Sequence, residues 1–223
     1  MLKFKQYLSE GVNDPAIFKA IFLAGGPGSG KSFIVGQTAL TALGMRVVNS
    51  DDAFENAMKK AGMEMNPDNI FSVKGQEMRG RAKTLTGKRQ ALYLAGRLGL
   101  VIDGTGRDYD KIKLQANELK KLGYDVGMIF VNTDKDTALA RNRARERSLP
   151  DAEVSQMWQD VQNNLGRFQS YFRENFRVLD NSDGANWKAG TQNGYKWASK
   201  FVRKEPVNPI AKRWIASQKG KRI

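Results

Sequence analysis

The chain has 223 residues, a length that suits one α/β domain with an appendage. It contains no cysteine and no histidine. Disulfides, thiolate or imidazole metal sites and imidazole acid–base catalysis are therefore excluded, and a carboxylate is the expected general base. The absence of cysteine also suits a reducing cytoplasm. The 37 Lys and Arg residues outnumber 23 acidic ones, and the net charge of +14 favours a polyanionic partner such as nucleic acid. No apolar run reaches the roughly 20 residues of a membrane helix, so no membrane partner is expected.

Apolar runs that alternate with helical patterns predict a parallel sheet covered by helices. Five strands are predicted, near residues 20–24, 45–49, 98–103, 126–132 and 176–179. Right-handed crossovers between such strands place ligand sites at their carboxyl ends.

The first predicted strand runs directly into a glycine-rich loop, G-G-P-G-S-G-K-S, which a helical pattern follows. Glycines let successive backbone N–H groups converge on the phosphates of a nucleotide at the N-terminus of that helix. Lys31 is expected to reach the β- and γ-phosphates, and the Ser32 hydroxyl to hold Mg²⁺. The predicted nucleotide-binding residues are Gly25, Gly26, Pro27, Gly28, Ser29, Gly30, Lys31 and Ser32.

Two adjacent carboxylates, Asp51 and Asp52, follow the second predicted strand, on the γ-phosphate side of the loop. In a chain without histidine, an aspartate is the natural group to accept the proton of a hydroxyl that attacks phosphorus. The alternative role is capping of the next helix, for which Asp is also preferred, and one aspartate can cap while its neighbour catalyses.

The third predicted strand delivers Asp103 to the same edge of the sheet. Asp103 is expected to hold the Mg²⁺ water shell or to orient the acceptor. Thr105 and Arg107 follow as candidate substrate-binding residues, with Arg107 placed to bind a phosphate. The alternative is a plain turn between strand and helix, capped by Asp108.

Arginines at alternate positions end the helical pattern before Pro150: Arg141, Arg143, Arg145 and Arg147. Four residues spaced in this way cannot share one helix face. Some are therefore expected to reach across the nucleotide from a lid, where they would stabilise charge on the transferred phosphoryl group. Complementing the helix dipole is the alternative, and it explains one or two of them.

Two further segments carry most of the positive charge. Residues 73–97 are predicted to form a long helix or a helix pair, with seven basic residues against the single acid Glu77. Residues 184–223 form a basic tail, whose charges alternate with five aromatic residues, Trp187, Tyr195, Trp197, Phe201 and Trp214. Both segments are candidates for nucleic-acid contact. A solvated face for residues 73–97, and docking of the tail aromatics onto the domain, are the alternatives.

In their order, these motifs resemble the kinase domain of bacteriophage polynucleotide 5′-kinase, over about residues 20–175. The resemblance implies a three-layer P-loop fold of the small-kinase type with strand order 2-3-1-4-5, and transfer of phosphate from ATP, with Mg²⁺, to a polynucleotide 5′-hydroxyl. By this likeness Asp51 matches the general base, Lys31 and Ser32 the P-loop pair, and Arg141 and Arg145 the lid arginines. Phe54 departs from it, since an acceptor-binding arginine is expected there.

Other resemblances leave alternatives open. The segment D-G-T-G-R, from Asp103 to Arg107, resembles the zeta-toxin kinases, which phosphorylate UDP-activated amino sugars, and this likeness makes Asp52 the base. Residues 1–12 look like a capsid-targeting leader of T-even-type phages, which implies packaging in a virion, although a simple N-terminal helix explains them as well. A DNA-binding internal phage protein with a vestigial P-loop is a third possibility. The predicted organisation is a leader at 1–12, a kinase domain at 13–183 and a tail at 184–223.

Overall fold

The structure is a computed structural model that describes residues 11–145 and 148–220. Most of the predicted leader, residues 1–10, and Arg147 of the arginine series lie outside the described residues.

The core of the fold is a five-stranded parallel sheet in the order β2-β3-β1-β4-β5. All five predicted strands and the predicted order are confirmed. The central strand β1 is buried along its whole length, as expected of a parallel strand that helices cover on both faces. The strands are β1 Lys19–Ala24, β2 Arg46–Val48, β3 Leu100–Asp103, β4 Asp125–Asn132 and β5 Phe176–Asp180.

Nine α-helices connect or follow the strands in the described part of the chain. They are α1 Lys31–Gln37, α2 Ser50–Lys60, α3 Pro67–Phe71, α4 Val73–Ala95, α5 Tyr109–Lys121, α6 Lys135–Arg143, α7 Asp151–Phe172, α8 Trp187–Arg203 and α9 Pro209–Lys219. Two short 3₁₀ turns, Gly11–Asn13 and Arg173–Asn175, complete the regular structure.

Helices cover both faces of the sheet and make it the middle layer of three. On one face, Phe22 and Phe130 pack with Phe168 of α7 and Ile112 of α5. On the other face, a second cluster joins the sheet to helices α1 and α8. Alternate residues of a strand point to opposite faces, so neighbouring residues of β1 enter different clusters.

The segment 73–97 contains one 23-residue helix, α4, so the long-helix prediction is confirmed and the helix pair is not observed. Its buried side packs against α2 in a third cluster that includes Phe54 and Met58. Two of the seven basic residues contact rings inside the fold, since Arg79 lies over Phe54 and Arg97 over Phe18. The other five, Lys74, Arg81, Lys83, Lys88 and Arg89, are exposed.

The C-terminal helices pack on the domain through several of the tail aromatics. Trp197 and Phe201 are buried, with their rings stacked at 5.4 Å, and Trp214 contacts Phe18 edge-on. These three rings therefore dock the tail, which was one of the two alternatives. Helix α8 belongs to the sandwich itself. Among the described residues, none of the helices combines the length and the apolar composition of a membrane span.

Candidate active site

The glycine-rich loop connects β1 to α1 in a conformation that side chains would prevent at two positions. Gly28 and Gly30 have φ of 73° and 80°. A Cβ at Gly28 would lie 2.5 Å from the Ala138 carbonyl oxygen, and one at Gly30 would lie 2.4 Å from Nδ2 of Asn181. The loop is thus packed between α6 and the segment after β5.

Lys31 begins α1 and folds back over the loop. Its Nζ donates a hydrogen bond to the Gly25 carbonyl at 2.6 Å. Burial lowers the pKa of Lys31, while the negative charges of Asp103 and Asp51 act to raise it and the positive charge of Arg145 acts to lower it. Asp103, Asp51 and Arg145 come from three different segments of the chain, and all three line the same cleft as Lys31.

Asn49, which sequence reasoning did not select, connects the carboxylates. Its Oδ1 accepts from the Asp51 backbone N–H at 2.8 Å and caps α2. Its Nδ2 lies 3.1 Å from both Asp52 Oδ1 and Asp103 Oδ2 and donates to them. The available signal was the preference for Asn at helix N-caps, at the end of a strand.

Because Asn49 is the N-cap of α2, the capping role considered for Asp51 and Asp52 does not hold. Both aspartates lie in the first turn of the helix, where the helix dipole favours negative charge, and both line the cleft. Partial desolvation raises the pKa of Asp52, and the charges of Glu55 and Asp51 raise it further.

Asp103 is the last residue of β3, and its side chain is half-buried. Burial raises the pKa of Asp103, the positive charge of Lys31 acts to lower it, and the charges of Asp52 and Asp51 act to raise it. Oδ1 of Asp103 is buried without a hydrogen bond among the described residues. Such an oxygen fits Mg²⁺, which is commonly bound through one or two carboxylates together with phosphates. The described residues contain no ready-made cluster of three acidic metal ligands.

The turn after β3 caps the next helix and also borders the cleft. Asp108 caps α5 by accepting from the Lys111 backbone N–H at 2.9 Å. Thr105 and Arg107 still line the cleft, and an ion pair of 3.2 Å joins Arg107 to Asp160 of α7.

The described arginines of the 141–147 series point to different places. Arg145 is exposed and lines the cleft. Arg143 pairs with Asp151 at the start of α7. Arg141 donates to the Asn181 carbonyl at 2.7 Å, pairs with Asp183 at 2.8 Å, and lies 3.5 Å from the Gly28 carbonyl. Arg141 therefore links the glycine-rich loop to the segment after β5. It is not among the described residues that line the cleft.

A cleft of about 1300 Å³ brings most of the predicted site residues together. Its wall includes the loop from Gly26 to Ser32, the first turn of α2, the turn from Asp103 to Arg107, and Arg145. The arrangement can bind a phosphate chain beside carboxylates that stand at the ends of β2 and β3.

One protein family matches the part of the chain that builds this cleft. A family model named AAA_33, described as an AAA domain, matches residues 21–163, more than half of the chain. The chain belongs to the AAA_33 family. The match covers the glycine-rich loop, both aspartates of α2, Asp103 and the arginines of α6. No curated protein is similar enough in sequence to count as a match.

Solved structures resemble this AAA_33 protein at low identity. A chain of the AvrRxo1-ORF1:AvrRxo1-ORF2 complex with sulphate ions has a TM-score of 0.56 and 16% identity, over 78% of this chain and 62% of that chain. The same complex with ATP has a TM-score of 0.54 and 16% identity, over 79% and 61%. A putative kinase from Chloroflexus aurantiacus has a TM-score of 0.50 and 12% identity, over 80% and 97%.

A chain of the Pnkp1/Rnl/Hen1 RNA repair complex has a TM-score of 0.51 and 19% identity, over 68% of the AAA_33 chain and 46% of that chain. The AAA_33 chain thus spans less than two thirds of the length of the matched AvrRxo1 and RNA repair chains. At these identities the likeness shows the fold, and the sheet order matches that of P-loop kinases.

Replacing Asp103 by Asn in this AAA_33 protein is expected to stabilise the fold at neutral pH. The folded-state pKa of Asp103 is raised above its usual value of 3.8, so ionisation costs stability. Below that usual value both states are protonated and the cost is absent. The cost grows as the pH rises between the two pKa values and is complete above the folded-state pKa. We expect a gain of about 1 kcal/mol, or about 2–4 °C in Tm, at neutral pH.

Thermal melts of wild type and Asp103→Asn at acidic and neutral pH measure this effect. Glu205→Gln, which neutralises an exposed carboxylate between α8 and α9, is the control and should leave Tm nearly unchanged. A lower Tm for Asp103→Asn at neutral pH would contradict the assignment of Asp103 as a costly buried carboxylate.

Proposed function

We propose that the chain is an ATP- and Mg²⁺-dependent phosphotransferase that moves the γ-phosphate to a hydroxyl, with the 5′-hydroxyl of a polynucleotide as acceptor. The observation that carries the proposal is that Lys31, Asp51 and Asp103 line one cleft together with the P-loop. Asp51 and Asp103, from two different strand ends, both act on the ammonium group that follows the phosphate loop. A phosphate donor site and carboxylates able to activate a hydroxyl thus share one cleft.

The donor half is the P-loop with Lys31 and Ser32. Backbone N–H groups of the loop and the N-terminus of α1 would hold the phosphates, and Lys31 would leave the Gly25 carbonyl to meet the β- and γ-phosphates. The Ser32 hydroxyl and Asp103 are the groups that would hold Mg²⁺. When bound, Mg²⁺ neutralises charge on the β- and γ-phosphates. The related AvrRxo1 structure with ATP supports ATP as the donor.

We assign the general base to Asp51. Both aspartates line the cleft, but Asp52 accepts a hydrogen bond from Asn49, which also donates to Asp103. Asp51 would accept the proton of the attacking hydroxyl, while the Asn49 bridge holds Asp52 and Asp103 in place beside it. Lys31 and Arg145 would stabilise negative charge on the transferred group, and Arg141 would keep the loop in position.

The acceptor assignment draws on the exposed face of α4. Lys74, Arg81 and Lys88 are seven residues apart, so they lie along one side of the helix, and all three are exposed. Thr86 of the same helix lines the cleft from a different side of α4, because it is five positions from Arg81 and two from Lys88. A polynucleotide whose 5′-end enters the cleft would have to pass over α4 to bring its later phosphates to this basic face. The similarity to a chain of an RNA repair complex supports an acceptor of this class.

Replacing Lys74, Arg81 and Lys88 together by Gln is expected to weaken oligonucleotide binding and its dependence on salt. Each phosphate that a basic side chain no longer neutralises removes about 0.7 from the log–log salt slope for single strands, so the three changes should lower the slope by about 2. Fluorescence anisotropy with a labelled single-stranded oligonucleotide over a salt series measures both quantities.

The control replaces three exposed lysines elsewhere, Lys59, Lys60 and Lys135, by Gln, which makes the same change in net charge. An equal decrease of the slope in the two triple variants would show that the α4 face has no special role. Charge substitution is preferable to removing the tail, since truncation would take away α8 and its buried rings.

Replacing Asn49 by Ala is expected to lower both stability and turnover. Loss of the α2 cap costs about 1 kcal/mol, and loss of the bridge between Asp52 and Asp103 should reduce kcat by about tenfold. Asn208→Ala is the matched control, because Asn208 caps α9 in the same way, by accepting from the Ile210 backbone N–H at 3.0 Å. An Asn49→Ala variant that loses stability as Asn208→Ala does, but keeps full turnover, would limit Asn49 to capping.

The second candidate function is a kinase of UDP-activated amino sugars. The observation in its favour is the turn after β3, where Thr105 and Arg107 line the cleft. Incubation with γ-labelled ATP, Mg²⁺ and either a 5′-hydroxyl oligonucleotide or UDP-N-acetylglucosamine separates the two. We expect label on the oligonucleotide. Label on the sugar nucleotide alone would establish the second function, and oligonucleotide binding without transfer would indicate a nucleic-acid-binding protein with a vestigial P-loop.

A further inference from the structure

Two aromatic side chains remain exposed beside the P-loop. Phe33 and Trp187 are 43% and 38% exposed, yet their rings contact each other edge-to-face, with centroids 5.2 Å apart. Leaving two large rings in contact with solvent forgoes the stabilisation that their burial would supply. Such a pair can offer a ring face to a flat ligand.

The sheet order fixes the side of the P-loop on which this pair lies. Asp51 and Asp103 follow β2 and β3, on one side of the central strand β1. Trp187 follows β5, on the other side of β1. A nucleoside triphosphate that lies on the P-loop with its γ-phosphate toward the two aspartates would therefore direct its base toward β5.

Contacts with the segment after β5 bring the pair close to the loop. Phe33 immediately follows Ser32 and lines the cleft. Asn181, which follows β5, donates from Nδ2 to the Ser29 carbonyl at 2.8 Å, and Arg141 bonds to the Asn181 carbonyl. These bonds join the loop to the chain segment that leads into Trp187 at the start of α8.

We infer that Phe33 and Trp187 form a stacking wall for the base of the donor nucleotide. The inference rests on the proposed nucleotide donor and adds a base subsite to it. Stacking on an aromatic ring depends on the flat π-face that every nucleobase has. The stacking wall would therefore bind a purine without hydrogen bonds to the polar edge of the base. Phe33 and Trp187 would position the donor and take no part in the chemistry.

The test compares binding of MgATP with binding of inorganic tripolyphosphate, which has the phosphates but no base. Isothermal titration calorimetry would be carried out on wild type, Phe33→Ala and Trp187→Ala. Each variant should bind MgATP about tenfold more weakly and bind tripolyphosphate as wild type does. Trp187→Phe, which retains a ring, should stay close to wild type, whereas Phe33→Leu, which retains apolar bulk only, should lose affinity as Phe33→Ala does.

Phe71→Ala is the control, because Phe71 is also an exposed phenylalanine, at 71%, and does not line the cleft. It should leave both affinities unchanged. Unchanged MgATP binding in Phe33→Ala and Trp187→Ala would overturn the inference, as would an equal loss of MgATP and tripolyphosphate binding. A wild-type protein that binds neither ligand would overturn the donor site and, with it, the base subsite, whereas the other outcomes bear on the base subsite alone.

Discussion

Replacing Lys31 by Ala should reduce phosphate transfer by about a hundred- to a thousandfold, the effect of removing one preorganised charge from a transferred group. Lys31 is the cation at the start of α1, and its ammonium group already lies within the loop, 2.6 Å from the Gly25 carbonyl. Steady-state kinetics with MgATP and an oligonucleotide acceptor measure the change.

The fold of Lys31→Ala should remain intact. Burial lowers the pKa of Lys31, so removing the charged amine is not expected to destabilise the fold. Lys59→Ala, at an exposed position in the last turn of α2, is the control and should keep full activity. A Lys31→Ala variant with a normal Tm and wild-type kcat would show that the P-loop takes no part in phosphate transfer.

Asp51→Asn and Asp52→Asn should show which of the two neighbouring carboxylates is the general base. Both changes remove one charge from the same helix turn, so they are matched in electrostatics and in position. Asp51→Asn should lower kcat by about a hundred- to ten-thousandfold, since a general base contributes on that scale. Asp52→Asn should lower it far less, because one oxygen of Asp52 already accepts a hydrogen bond from Nδ2 of Asn49.

Single-turnover kinetics at saturating ATP and acceptor measure the chemical step of both variants. Thermal melts verify that each variant is folded. If Asp52→Asn shows the larger loss, the base is Asp52, and the site follows the zeta-toxin likeness instead.

The sheet and the P-loop could be predicted from the sequence because their signals are local. After Lys19, strand β1 is a continuous apolar run, A-I-F-L-A, as expected of a strand buried on both faces, and the loop follows it directly. The positions of Asp51 and Asp103 followed from the rule that parallel strands present their carboxyl ends at one edge.

Contacts between distant segments could not be predicted in the same way. Asn49 reaches Asp103 across 54 positions, and Arg141 reaches Asn181 across 40. Nothing near Arg141 in the sequence distinguishes a residue that fastens the loop from one that reaches across a nucleotide. Similarly, Trp197 and Trp187 lie on one helix with similar neighbours, yet one is buried in the sandwich and the other exposed beside the loop.

The ratio of ADP formed to phosphorylated oligonucleotide ends is the most direct measurement of whether this protein is a polynucleotide 5′-phosphotransferase. Wild type would be incubated with MgATP and a 5′-hydroxyl oligonucleotide, and the phosphate would be mapped by mass spectrometry. We expect one ADP for each new 5′-phosphate, and product formation about a hundred- to a thousandfold slower with Lys31→Ala. Formation of ADP with free phosphate and unmodified oligonucleotide would contradict transfer to a 5′-hydroxyl, and absence of ADP would contradict phosphotransfer altogether.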